Sequence, residues 1–204
     1  GSLSNCFVIG QPHDSYGGIF QKDQELAQLM KRRGGVGIDI STLRPNETPV
    51  SNAAGTSTGA NSFMHRFSNT TREVAQNGRR GALMISVDVR HPDVLDFIKI
   101  KADLTKVTGA NISVQLRDDF MKAVQQDGDY FLRFPCDTEF NSEQLEQLQH
   151  LQYGKLITIE NIQIKKIKAT KYFDTLVENN WLSAEPGSIF VDRHWNYSPD
   201  GVYK

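Results

Sequence analysis

"ALMISVDV", Ala82 to Val89, decides how the rest of the chain is read. A short, near-continuous apolar run between turn signals reads as a strand buried on both faces of a parallel sheet. On its left, Ser62 to Gln76 carries Phe63, Phe67 and Val74 on one side and predicts an amphipathic helix. On its right, His91-Pro92-Asp93 opens a helix bearing Val94, Leu95, Phe97 and Ile98, with Pro92 suited to the first turn. The same alternation runs both ways. Leu3–Ile9 reads as a strand and Ser15–Arg33 as a helix with Ile19, Leu26 and Met30 in register, capped by Asp14 or Ser15 and stopped at Gly34-Gly35. "VGIDI", "NISVQL", "YFLRF" and a buried-looking "SIFVD" are further strands. Helices are expected at 118–124, 141–152 and 169–181, and residues 157–167 alternate like a strand or ribbon. Strands alternating with helices predict an α/β fold with a parallel sheet. Between them, "STLRPNETPVSNAAGTSTGAN" is a polar loop long enough to be either functional or disordered.

The 204 residues are 38% hydrophobic and 23% charged, in the globular range, with a net charge of -1. That balance argues against bulk DNA or RNA binding, so any anion must be met by local clusters. Two cysteines, Cys6 and Cys136, make no disulfide framework and point to a reducing cytoplasm. No apolar run approaches the roughly 18 residues of a membrane span. No signal peptide is recognisable, and the five histidines show no metal-ligand spacing. A strand almost at the first residue and another near the last suggest a piece of a longer protein.

Each local motif has a plain reading beside a functional one. Arg79 and Arg80, flanked by Gly78 and Gly81, suit a phosphate or a base. Taken alone, a solvated turn is the commoner case. "KRRGGVG" places glycines after a helix and before a strand, the reverse of a P-loop, which excludes Walker and Rossmann readings. Cys6 in an apolar strand is ordinarily a small buried hydrophobe. Cys136 in "FPCDTEF" has no evident partner, and Asp14, Asp39 and Asp88 are explicable as caps or strand-end charges.

Their order along the chain is more specific. "LSNCFVIG…DSYGGIF…KRRGGVGIDISTLRP…SNAAGTSTGANSFMHRF…QNGRRGALMISVDVRHPDVLDFI…NISVQLRDDFM…WLSAEPGSIFVDR" resembles the catalytic subunit of ribonucleotide reductase, with residues 134–167 the least familiar part. The GRRGA turn and "DLTKVTGANISV" look more like the adenosylcobalamin-dependent class II enzymes than the iron-dependent class I ones. The resemblance implies that residues 1–204 are the first half of a ten-stranded α/β barrel. The finger loop with its radical cysteine and the second redox cysteine would then lie beyond Lys204, and the chain alone is expected to be inactive.

The resemblance also implies roles. Cys6 would be the first-strand redox thiol, with Ser4 and Asn5 seating substrate phosphates. Asp14, Lys31 and Arg44 would bind a deoxynucleoside triphosphate (dNTP) effector, Asp14 at the deoxyribose hydroxyl and the two cations at phosphate. Residues 45–59 would cover that effector. Residues 76–82 would link it to the substrate, Gln76 reading the effector and Arg80 meeting the ribonucleotide. Implied partners are a thioredoxin-like reductant and a second copy in a homodimer. The alternative, a nucleotide-binding regulatory module without catalysis, remains open at this level.

Overall fold

The computed structural model describes residues 4–74 and 81–199. Five parallel strands form the main sheet: β1 (Cys6–Val8), β2 (Gly35–Asp39), β3 (Leu83–Asp88), β4 (Asn111–Leu116) and β8 (Gly187–Phe190). Their spatial order, β1-β2-β3-β4-β8, follows the chain without reversal. Parallel crossovers share one hand, so an unreversed order stacks all the connecting helices on one face.

The burial pattern agrees. Val36, Ile38 and Ile40, then Leu83, Ile85, Val87 and Val89, then Ile112, Val114 and Leu116 form one apolar face. It is covered by α1 (Tyr16–Lys31), α2 (Ala60–Glu73), α3 (Val94–Lys99) and the later α4 (Asp118–Gln125) and α6 (Ala169–Ser183). The other face carries Gly37, Met84 and Asn111 in one paired row and Asp39, Ser86 and Ser113 in the next. β3 is therefore not the doubly apolar strand that "ALMISVDV" predicts. Its apolar residues alternate with Met84, Ser86 and Asp88, and Ser86 and Asp88 are buried among polar partners.

The outer strands differ more from expectation. β1 is shorter than the predicted Leu3–Ile9, and Val8 is 90% exposed. β8 is not buried either: Ile189 and Phe190 are 37% and 49% exposed, because it is an edge strand. The chain also continues past it into α7 (Val191–Tyr197). Residues 129–168 hold the largest departure from a purely parallel fold. β5 (Asp129–Phe134), β6 (Leu156–Ile159) and β7 (Ile162–Lys168) form a separate antiparallel sheet, order β5-β7-β6, with α5 (Ser142–Gln149) beside it. The fold is mixed α/β.

Helix ends follow local chemistry. Ser15, not Asp14, caps α1, its hydroxyl accepting from the Gly18 N–H at 3.1 Å. At the other end Arg33 takes the left-handed conformation (φ 67°), not Gly34. Asn141 and Gln144 form a reciprocal capping box on α5. Pro92 lies before α3 instead of in its first turn, since the helix starts at Val94.

Candidate functional site

Two cavities lie at opposite ends of the main sheet. The first, about 600 Å³, opens at the N-terminal ends of the strands. Cys6, Gly35, Leu83 and Asn111 line it from β1, β2, β3 and β4, and Arg72 and Gly109 close one side. Cys6 is exposed and free, contrary to the buried-hydrophobe reading. Gly35, its register partner, keeps the wall low: a Cβ there would sit 3.5 Å from the Cys6 Sγ. Ser4 and Asn5 lead into β1. The Ser4 hydroxyl donates to the Cys6 carbonyl at 3.2 Å, and the Asn5 carbonyl accepts from the Gly35 N–H at 2.7 Å. Both therefore fix the entry of β1, and both residues are exposed.

Gly109 sets the far wall. Its N–H donates to Ser68 Oγ at 2.9 Å, and a Cβ would meet the Ser68 carbonyl at 2.3 Å, so only glycine lets the β4 approach reach α2. Arg72, in the last turn of α2, lies over it. Sequence reading did not single out Arg72, Thr108 or Asn111. Arg72 lies in the last turn of α2, and Thr108 and Asn111 lie just before and at the start of β4. Gln76 and Arg80 lie outside the described residues, although Arg72 and Gly81 on either side of that segment both line the cavity.

The second cavity, about 270 Å³, lies past the C-terminal ends of β1 and β2. It brings Asp14 and Arg44 together with residues 50–58. The Arg44 backbone N–H and Nε donate to the two Asp14 carboxylate oxygens at 3.1 and 2.7 Å. A carboxylate offers about four lone-pair sites, so Asp14 keeps acceptor capacity toward a hydroxyl. Residues 47–57 form an ordered hairpin-like turn, with Glu47 N–H to the Ser57 carbonyl, Ser57 N–H to the Thr48 carbonyl and a bridge between Pro49 and Thr56.

One buried carboxylate holds both ends of that turn. Asp93 accepts from the Asn46 N–H at 3.0 Å and from the Ala60 N–H at 3.1 Å. The second bond caps α2 from a distance, since its own N-cap, Gly59, has no side chain to do so. A Cβ at Gly59, where φ is 81°, would meet Asp93 Oδ2 at 2.6 Å. His91 completes the support. Its Nδ1 accepts from the Asp93 N–H at 3.0 Å, so Nε2 carries the proton and donates to the Leu43 carbonyl at 2.7 Å. Burial lowers the His91 pKa and keeps the ring neutral, outweighing Asp93, which acts the other way.

Lys31 does not join this pocket. It ends α1, whose first turn lines the pocket, and 16 residues at 1.5 Å each put it about 24 Å away. Its expected place beside Asp14 within one chain is therefore not realised. The helix that sequence predicts over Ser15–Arg33 is itself what separates the two.

Cys136 stands apart from Cys6. Its thiol donates to the Ser41 carbonyl at 3.6 Å in a polar cavity with Asp39, Asp88, Arg90 and Arg117. Burial pushes its pKa well above the usual thiol value. Six residues of β2 and its extension separate Gly35 from Ser41, about 20 Å at 3.3 Å per residue, so the two cysteines cannot form a disulfide. Asp88 is more than a strand-end charge: Arg117 grips it at 2.8 and 3.0 Å, while burial, the largest influence, raises its pKa. Among the described residues no cluster of metal-binding side chains occurs, and no helix is long and apolar enough to cross a membrane.

Comparison with known proteins narrows the reading. The family model for the ribonucleotide reductase barrel domain matches residues 4–200. A vitamin B12-dependent ribonucleoside-diphosphate reductase of Thermoplasma acidophilum is 34% identical over 95% of this chain and 22% of its own length. The protein of the same name from Mycobacterium tuberculosis H37Rv is 30% identical over 94% of this chain and 24% of its own. A ribonucleoside-diphosphate reductase large subunit of Dictyostelium discoideum is 28% identical over 93% and 22%. The chain thus spans under a quarter of the length of these relatives.

Proposed function

Since the chain belongs to the ribonucleotide reductase barrel-domain family, we propose that residues 1–204 supply one redox thiol and the dNTP-effector pocket to a ribonucleotide reductase. The exposed Cys6 on a cavity of about 600 Å³ carries this reading, because that space suits a nucleotide and the thiol needs direct access to it. In the reaction, the ribonucleotide loses its 2′-hydroxyl as water and gains a hydrogen at that carbon. Two thiols give up two electrons and two protons and become one disulfide, which a thioredoxin-like reductant reopens by exchange. Cys6 is one of the two. Cys136 is too distant to be the other, so the second thiol belongs to another segment of the parent.

The relatives named as B12-dependent support adenosylcobalamin as the parent's radical source. Neither cavity described above would enclose a corrinoid, and no residue here is assigned to it. The unreversed strand order supports a half barrel, completed elsewhere in the parent.

Asp14 and Arg44 would hold the effector's deoxyribose and phosphates under residues 45–59. Lys31 sits at the other end of α1. It could reach that nucleotide only from a second copy whose helices run antiparallel to these, while Gln76 and Arg80 lie outside the described residues. A homodimer through α1 and α2 therefore reconciles the expected effector set with the geometry.

In the full-length reductase, Cys6→Ser should abolish dithiol-dependent turnover and leave dNTP binding intact. Arg44→Ala should weaken dNTP binding about tenfold or more, the worth of a charged hydrogen bond. Wild-type turnover by Cys6→Ser would sink the redox role. The alternative, a regulatory module alone, would leave every Cys6 variant silent.

A further inference from the structure

A fourth cavity, about 540 Å³, lies on the helix-covered side of the molecule and shares no lining residue with the three above. α3 contributes Leu95 and Lys99, the end of β7 contributes Lys166 to Lys168, and α6 contributes Lys171, Tyr172 and Thr175. Tyr153 and Gly154 form the rim. Four ammonium groups therefore line one concavity, and no carboxylate does.

Two of the four are neutralised from behind. Lys166 is buried and donates to Asp129 at 3.0 Å and to the Gln149 carbonyl, with the Tyr153 ring 4.7 Å away. Lys168 pairs with Asp127. Lys99 and Lys171 have no carboxylate within ion-pair distance among the described residues, and they project from two different helices into the same space. Two uncompensated charges in a concave, partly apolar wall focus a positive potential that flat surface lysines would not. A second observation agrees in sign. The first turn of the 15-residue α6 borders this cavity with no acidic residue of its own and no side-chain cap. Its Ala169 N–H is taken by the Gly128 carbonyl and its Thr170 hydroxyl by Asp127, and the positive end of the helix still favours an anion.

We propose that this cavity binds a phosphorylated small molecule. Its phosphate would bridge Lys99 and Lys171, and its organic part would lie over Leu95, Ile167 and the exposed Tyr153 ring. Lysine meets phosphate as a point charge, which fits two ammonium groups without a guanidinium fork. The site is independent of the reductase reading.

The test uses the 204-residue chain and three probes: inorganic phosphate, ribose 5-phosphate and adenosine 5′-monophosphate. Binding is followed by calorimetry and by amide shifts. At least one probe should bind saturably, shifting the Gly154, Lys171 and Thr175 amides, with affinity rising if sugar or base contributes. The double variant Lys99→Gln/Lys171→Gln, at two exposed positions that leave the core intact, should lose about tenfold or more. Lys122→Gln, at an exposed lysine of α4 that lines none of these cavities, should change nothing. No saturable binding of any probe overturns the proposal. So does binding that survives the double variant unchanged, or binding that Lys122→Gln weakens as much.

Discussion

At the scale of single residues, His91 ties the candidate effector pocket to the core. Its neutral ring spans from the Asp93 N–H to the Leu43 carbonyl, next to Arg44, and its edge meets Phe134. Protonation would destroy the Nδ1 acceptor. Because burial depresses the folded pKa, the unfolded chain binds the proton first, at about 6.5. The contribution of His91 is therefore fully present above that value and lost as pH falls below it toward the folded pKa. Chemical denaturation at stepped pH should show stability declining below about pH 6.5. His91→Phe should remove that limb and lower stability at neutral pH by about 1–3 kcal/mol, the cost of an unsatisfied buried carbonyl. An unchanged slope in the variant would mean that another group titrates.

At the scale of elements, α1 and α2 act as one unit. Asp23 on α1 is mostly buried and accepts from Thr70 at 2.6 Å and from Arg66 at 2.9 Å, both on α2. Arg66 also lies 4.3 Å from the Phe20 ring. Tyr16 and Phe20 remain 59% and 47% exposed, with Phe63 packed edge-on to Tyr16. Such an aromatic face beside the Asp14 pocket suits the proposed pairing of two copies. In the full-length protein, Phe20→Glu should shift sedimentation from dimer toward monomer and weaken dNTP binding together. A variant that stays dimeric, or a wild type that is monomeric with and without dNTP, would place the interface elsewhere.

For the whole molecule, the sheet has one face covered by helices and one polar face, with exposed edges at β1 and β8. Parallel sheets are ordinarily covered on both faces, and unpaired edges are normally protected. Both features suit the half barrel proposed above. Cys6 and Cys136 sit at opposite ends of it. The isolated chain therefore has no dithiol pair and should turn over no ribonucleotide when given adenosylcobalamin and a dithiol. Measurable deoxyribonucleotide formation by the purified chain would overturn the division of thiols proposed above.

Much of this was legible in the residues themselves. Apolar periodicity located β2, β3, β4 and the paths of α1, α2 and α6, since an element must bury one face wherever it docks. Ordered motifs identified the family and marked Cys6, Asp14 and Arg44. Tertiary structure alone decided the rest. Whether "SIFVD" is covered depends on what lies beside β8, and hydropathy within the strand carries no record of that. The antiparallel β5-β7-β6 sheet rests on pairings between segments up to 39 residues apart. Lys31 and Asp14 are near in sequence, yet a rigid helix holds them at opposite ends of the molecule. Arg72 and Asn111, distant in sequence, meet at one cavity because the C-terminal end of α2 packs over the N-terminal end of β4.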